Sequence, residues 1–222
     1  MISLREVTKV YKGGEIPVRA VDGVNLDVKT GDMVMIVGRS GSGKTTLLSL
    51  IGGLTQPTSG SVSVDGVELR NLNDKKLSIL RNKNIGFIFQ FPSMIPTLNS
   101  IDNVRLPMIF GEERKQNHER ARNLIEKVGL SDQMMFYPSQ LSGGEQRRVA
   151  IARALMNSPM IILADEPTGD LDEHTEAEIL QLFTEINKNE GTTFLIVTHS
   201  AELSHYGQQL YKMSKGMLTQ IR

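Results

Sequence analysis

Residues 33–53 read MVMIVGRSGSGKTTLLSLIGG. The first five are apolar without alternation, the pattern of a strand covered on both faces in a parallel sheet. GRSGSGKT at 38–45 then satisfies G-x-x-x-x-G-K-[ST], and TTLLSLI continues as a helix. A strand, a glycine-rich loop and a helix N-terminus in that order aim backbone N–H groups at phosphate oxygens. Gly38, Gly41 and Gly43 let the backbone wrap closely, Lys44 supplies a point charge for the β and γ phosphates, and the Thr45 hydroxyl suits Mg²⁺. The phosphate-binding set is Gly38, Arg39, Ser40, Gly41, Ser42, Gly43, Lys44, Thr45 and Thr46. The bland alternative is a tight strand-to-helix turn with a solvated lysine, which the flanking strand and helix disfavour.

Outward from this stretch, IGFIF (85–89), MIIL (160–163) and FLIV (194–197) are further continuous apolar runs. Short runs of this kind alternating with helix-period segments predict an α/β fold with a mainly parallel sheet. Near the N-terminus the pattern changes to alternation, with Val24, Leu26 and Val28 and then SVSVDGVEL, where Asp65-Gly66 marks a hairpin. An antiparallel β subdomain is therefore expected beside the parallel sheet. NHERARNLIEKVG (117–129) puts Ala121, Leu124, Ile125 and Val128 on one helical face, with Asn117 as cap and Gly129 as terminator. It belongs to a helical block expected over about 91–157, and a last helix over roughly 173–189 should carry Ala177, Leu180, Phe183 and Ile186 inward. The expected organisation is one domain over 1–222: residues 1–90 and 158–222 form the catalytic core, and the helical subdomain is inserted between them.

Composition excludes several classes. Of 222 residues, 39% are apolar and 23% charged, enough for a full core. Lys plus Arg equals Asp plus Glu at 25 each, so no basic footprint for a nucleic acid exists and none is expected as partner. With no cysteine there are neither disulfides nor thiolate metal sites. The opening MISLREVTKV lacks a signal-peptide run, and no apolar stretch approaches the roughly 18 residues that span a bilayer. A soluble polypeptide is expected, whose membrane role would require a partner.

Three strand ends carry candidate chemistry. MIILADEPTGDLD (160–172) ends its strand in Asp165 and Glu166, at the carboxyl edge where α/β ligands bind. Alternation sends neighbouring side chains opposite ways, so Asp165 can orient Mg²⁺ through its waters while Glu166 acts as general base for the attacking water. IGFIFQ ends in Gln90, able to reach the metal or that water. FLIVTHS ends in Thr198 and His199, and the histidine suits a γ-phosphate or the attacking water. His118, His174 and His205 lie among polar neighbours and read as solvated.

LSGGE (141–145) holds a second pair of glycines. Ser142 and Glu145 make the S-x-x-E capping box of a helix whose face carries Val149, Ala152 and Leu155 or Met156. That leaves Gly143 and Gly144 unexplained, since glycine in a first turn costs up to about 1 kcal/mol against alanine. Bare backbone at a helix N-terminus suits a phosphate that must approach closely.

GRSGSGKT, Gln90, LSGGE, IILADE and His199 together resemble, in order and approximate spacing, the ATP-binding cassette ATPases over essentially the whole chain. GFIFQ, LSGGEQRRVAIARAL and ADEPTGDLD look most like the ATPase subunits of the lipoprotein-release and macrolide-export type. The resemblance implies the cassette fold on a P-loop NTPase core, with ATP and Mg²⁺ as cofactors. It implies Lys44, Gln90, Glu166 and His199 as catalytic groups, and Thr45, Gln90 and Asp165 around the metal. It implies a homodimer in which Ser142, Gly143, Gly144 and Glu145 contact ATP held by the other subunit and Asp172, in the GDLD loop, lies at the interface. Tyr11 matches the aromatic that stacks on adenine. Residues 91–106, including Phe91, Met94 and Ile95, correspond to the groove for an integral-membrane permease, which would place the protein at the cytoplasmic face of the membrane. Glu145 stands where glutamine is commonest and Ser200 where aspartate is frequent. The implied function is ATP-driven export or lipoprotein or peptide extrusion; the alternative is regulation of a membrane partner in cell division or signalling without transport.

Overall fold

The computed structural model describes residues 1–13, 16–110, 118–169, 171–200 and 202–222. The elements in chain order are β1 (Ile2–Tyr11), β2 (Val18–Val28), β3 (Met33–Val37), α1 (Lys44–Ile51), β4 (Ser59–Val64), β5 (Val67–Glu68), α2 (Asp74–Asn84), β6 (Ile85–Ile88), α3 (Ser100–Ile109), α4 (His118–Lys127), α5 (Gly143–Ala154), β7 (Ile161–Asp165), α6 (Glu173–Glu190), β8 (Thr193–Thr198), β9 (Gln209–Ser214) and β10 (Met217–Gln220). A six-stranded sheet in the order β10-β9-β3-β8-β7-β6 is parallel except for β10. A four-stranded antiparallel sheet runs β2-β1-β4-β5.

The continuous apolar runs are explained by what covers each face. Val34, Ile36, Leu163, Leu195 and Val197 pack with α1 residues such as Leu47 and Ile51 and with the inner face of the antiparallel sheet. Their alternate neighbours Met35, Ile162, Ala164, Phe194 and Ile196 pack on the other side with Ile125 of α4, Val149 of α5 and Phe183 of α6. Since strand side chains alternate, a sheet with an apolar layer on each side requires apolar residues at both parities. Fully burying a side chain such as Phe183 contributes about 1.5–3 kcal/mol relative to leaving it exposed.

The Asp65-Gly66 hairpin forms as the sequence predicts, with φ of 51° and 75° and Val64 paired to Val67. In α4, Ala121, Leu124 and Ile125 are buried, Val128 is buried just beyond it, and Gly129 ends the turn at φ 73°. The Asn117 cap lies outside the described residues. The described residues between β6 and β7 contain α3, α4 and α5 and no strand. One inward assignment in α6 is corrected: Ala177 is exposed, and the buried stripe begins at Ile179 and continues through Leu180, Phe183 and Ile186.

Two features were not anticipated. Helix α2 fully buries only Leu77, with Leu80 partly buried against the same core, and is started by Asn73, whose side chain accepts the Lys76 N–H at 2.9 Å. The hairpin of β9 and β10 turns at Lys215 and Gly216, both at positive φ, and lays β9 parallel beside β3.

Candidate functional site

The sheet delivers its chemistry to one edge. β3 ends at Val37, and the Gly38 N–H bonds the Thr198 carbonyl at the end of β8 (3.2 Å). From there the loop is tied to the C-terminal hairpin, where the Gly216 N–H bonds the Ser42 carbonyl at 3.0 Å. Gly43 takes φ 108° at the cap of α1, and a Cβ there would collide with the Ala20 carbonyl. A Cβ on Gly38 would collide with the Met213 carbonyl. Both glycines are required by the backbone packed behind the loop, which leaves its front face open.

That face forms a cleft of about 850 Å³ lined by all nine residues from Gly38 to Thr46 together with Gln90, Asp165, Glu166 and His199. Its size fits the range of small-molecule sites, roughly 300–1,000 Å³. Four strand ends, expected from sequence to serve one ligand, thus share one cavity. Ala20 and Lys212 also line it. Lys212 escaped the sequence reading because it lies on β9, next to Val37, in a strand whose pattern was not recognised.

Lys44 is buried and donates from Nζ to the carbonyls of Gly38 (2.6 Å) and Arg39 (3.3 Å), and it lies 3.5 Å from Glu166 Oε1. The other carboxylate oxygen of Glu166 accepts from the His199 N–H at 3.1 Å and lies 2.9 Å from His199 Nδ1. An ionised carboxylate can only accept, so that contact puts the ring proton on Nδ1. Asp165 and Glu166 do not point apart as strand alternation predicts. Glu166 has already left the strand at φ 46°, and both carboxylates reach the same cleft. Burial pushes the Asp165 carboxyl up; a hydrogen bond with Thr45 opposes this, the Glu166 charge adds to it, and Lys44 opposes it.

The groups fit a magnesium nucleotide. Ser42 Oγ is buried inside the loop beside Gly38, without a hydrogen-bond partner. The Thr45 hydroxyl, Asp165 and Gln90 offer oxygen ligands only, as Mg²⁺ prefers. Among the described residues no group of three or more His, Cys, Asp or Glu side chains could hold a metal alone. Such an ion would depend on phosphate and water for its other ligands, its habit in nucleotide sites.

Other sequence-identified residues stand apart from the cleft. Tyr11 ends β1, 44% exposed, with Lys9 Nζ 5.1 Å from its ring centroid, and does not line the cavity. Asp172 caps α6 by accepting the Thr175 N–H at 3.0 Å, and that bond holds its carboxyl below the usual range. LSGGE starts α5 through a reciprocal capping box: Glu145 N–H to Ser142 Oγ at 3.3 Å, and Ser142 N–H to Glu145 Oε2 at 2.7 Å. Ser142 and Gly143 are exposed, Gly144 and Glu145 are half-buried, and none of the four reaches the cleft of its own chain. The Ser200 N–H bonds Thr198 Oγ1 at 3.1 Å, which holds that loop without an aspartate.

A second groove, of about 470 Å³, has Leu54, Phe87, Phe89, Leu106 and Phe110 among its walls. The rings of Phe87 and Phe89 are stacked at 5.5 Å. Phe91 is 71% exposed as expected, whereas Met94 is half-buried against the helical core. No helix among the described residues is long and apolar enough to cross a membrane.

Comparison with known proteins agrees with this geometry. The family model described as ABC transporter matches residues 21–169. The lipoprotein-releasing system ATP-binding protein LolD of Bordetella pertussis is 46% identical over 211 residues, 95% of this chain and 91% of that protein. The macrolide export ATP-binding/permease protein MacB of Rhodopirellula baltica is 42% identical over 223 residues, 99% of this chain and 33% of that protein. A dimeric post-hydrolysis structure of the cassette MJ0796 of Methanocaldococcus jannaschii, bound to ADP and Pi, superposes with a TM-score of 0.93 at 40% identity, covering 100% of this chain and 99% of that one. On the phosphate loop, the converging strand ends and these likenesses, the chain belongs to the ABC transporter family, as an ATP-binding cassette.

Proposed function

We propose that this chain hydrolyses ATP with Mg²⁺ and, as a head-to-tail homodimer, drives a separate membrane permease in export or in lipoprotein or peptide extrusion. The observation that carries the reading is the convergence of Lys44, Thr45, Gln90, Asp165, Glu166 and His199 on one cleft walled by the phosphate loop. The loop's N–H groups and Lys44 hold the phosphates, and the adenine would extend beyond the cleft to the exposed ring of Tyr11. Thr45, Asp165 and Gln90 would hold Mg²⁺, which would supply charge neutralisation at the phosphates. Glu166, fixed between Lys44 and His199, takes the proton of the attacking water, and the exposed ring of His199 stands at the mouth of the cleft beside it.

In the dimer Ser142, Gly143, Gly144 and Glu145 close over the ATP of the other subunit, with Asp172 at the interface. The helical subdomain, proposed over about 91–157, carries that signature stretch. The likeness to a dimeric cassette bound to ADP and Pi supports this arrangement. Lipoprotein release and macrolide export are the activities named for the relatives, and the protein would work at the cytoplasmic face of the membrane.

Lys44→Ala tests the nucleotide part. A charged hydrogen-bond donor to phosphate is worth about 1.5–3 kcal/mol, so ATP affinity by calorimetry should fall roughly ten- to a hundredfold. Unchanged affinity would contradict the phosphate-loop assignment. The permease would dock near residues 91–106, where Phe91 and Ile95 are exposed, and on the adjoining apolar groove that Leu106 shares with Phe89 and Phe110. Phe110, 76% exposed, contributes little to the core, so Phe110→Asp should keep ATP binding and lose co-purification with an integral-membrane partner from native membranes. Equal recovery of that partner would place docking elsewhere.

A further inference from the structure

Arg147 is a buried cation, 6% exposed, that does not line the nucleotide cleft. Taking a guanidinium out of water costs several kcal/mol unless its donors are met by good geometry. Here Nη1 donates to the Glu166 carbonyl and Nη2 to the Gln90 carbonyl, each at 3.0 Å. One rigid fork therefore joins α5 to the backbones of the proposed base and of Gln90.

The Glu166 backbone explains what such a fork accomplishes. A non-glycine residue at φ 46° costs on the order of 1–3 kcal/mol and persists only where its surroundings over-determine it. The Glu166 N–H is held by the Val197 carbonyl at 2.9 Å, and its own carbonyl accepts from Gly169 N–H at 3.2 Å as well as from Arg147. With both ends of the residue fixed, the Cα–Cβ direction is fixed, and from that origin Lys44 and the His199 N–H hold the carboxylate. Six residues further along α5, Arg153 donates to the carbonyls of Pro92 (2.6 Å) and Ser93 (2.9 Å). The segment leaving Gln90 is thus held to the same helix at two points.

The geometry points to Arg147 as a positioning residue for ATP hydrolysis, setting the Glu166 backbone, and through it the carboxylate, against α5, the helix whose first turn carries Gly143 and Gly144. This rests on the hydrolytic reading proposed above. It adds a route by which engagement of that helix N-terminus with a second subunit's phosphates reaches the base in its own chain. A lysine at this position retains the charge but offers a single point donor that cannot hold two carbonyls in one plane.

Arg147→Lys, measured alone and combined with Glu166→Gln, tests the role by steady-state and single-turnover hydrolysis alongside thermal melting. Misplacing a catalytic group by about 1 Å costs about a hundredfold, so kcat should fall roughly ten- to a hundredfold with KM for ATP unchanged. If Arg147 acts through Glu166, the double variant should be no slower than Glu166→Gln, because the two changes remove one function. A kcat retained by Arg147→Lys, or a loss that multiplies in the double variant, would overturn the inference while leaving Glu166 as the base. Normal turnover by Glu166→Gln alone would remove both the base and this role. Arg147→Gln provides the same readouts if the lysine variant does not fold; failure of both to fold would mark the guanidinium as structural and count against the proposal.

Discussion

Glu166→Gln is expected to hydrolyse ATP about 10²- to 10⁴-fold more slowly than the wild type while binding it as tightly. The amide keeps the size of the carboxylate and can still accept the His199 N–H, now at 3.1 Å from Oε2, so the loop after β8 keeps its anchor. What disappears is the capacity to take a proton from water, together with the charge that Lys44 Nζ faces at 3.5 Å. ATP affinity should hold because it comes from the N–H groups of residues 38–46, Lys44 and the α1 N-terminus, all of which remain in the variant. Binding without hydrolysis should accumulate the ATP-bound dimer, visible by light scattering as a doubling of mass. The separation of kcat from affinity is the diagnostic: a variant that merely unfolded would lose both. Turnover near that of the wild type would remove Glu166 from its role and return the task to Gln90 or His199.

The parts of this site legible in the sequence are those where one physical rule determines the residue. Gly38 and Gly43 must be glycine because the Met213 and Ala20 carbonyls press from behind, and Val34 to Ile36 are all apolar because each face of β3 meets its own core. Ser142 and Glu145 form their box entirely within one helical turn. Illegible were features whose partners are distant in the chain. Arg147 reads as one of two surface arginines in a polar stretch, yet its donors are met by carbonyls 19 and 57 residues away. Lys212 enters the cleft only because β9 pairs with β3. Helix α2 lacked a clear periodic signal because a single leucine is fully buried, with Leu80 partly so. Glu166 escaped the alternation argument for a related reason: its left-handed backbone is imposed by bonds to Val197 and Gly169, and no local propensity favours it.

Gly143→Asp is expected to move stability and function in opposite directions. Neither Gly143 nor Gly144 adopts a left-handed backbone, so no turn requires them. A Cβ at Gly143 would meet nothing within 4 Å, and one at Gly144 only Leu171 Cδ2 at 3.4 Å, which makes Gly143 the cleaner position. Within its own chain the substitution is favourable. It exchanges Gly for a slightly better helix former, a gain of about 0.3 kcal/mol, and places a carboxylate in the first turn, where the helix dipole contributes about 0.3–1 kcal/mol. The melting temperature should therefore rise or stay level, and monomeric ATP binding should be unchanged. If a second subunit's phosphates approach this backbone, the new carboxylate faces them as a like charge at a cost of several kcal/mol, which weakens closure by about 10²- to 10³-fold. The ATP-dependent dimer should then be lost from light scattering even in the Glu166→Gln background, where it would otherwise accumulate, and hydrolysis should fall correspondingly. A chain that gains stability and loses only its closed dimer has its glycine pair maintained for another molecule's phosphate. One that dimerises and hydrolyses normally would reduce Gly143 to the first residue of a well-capped helix.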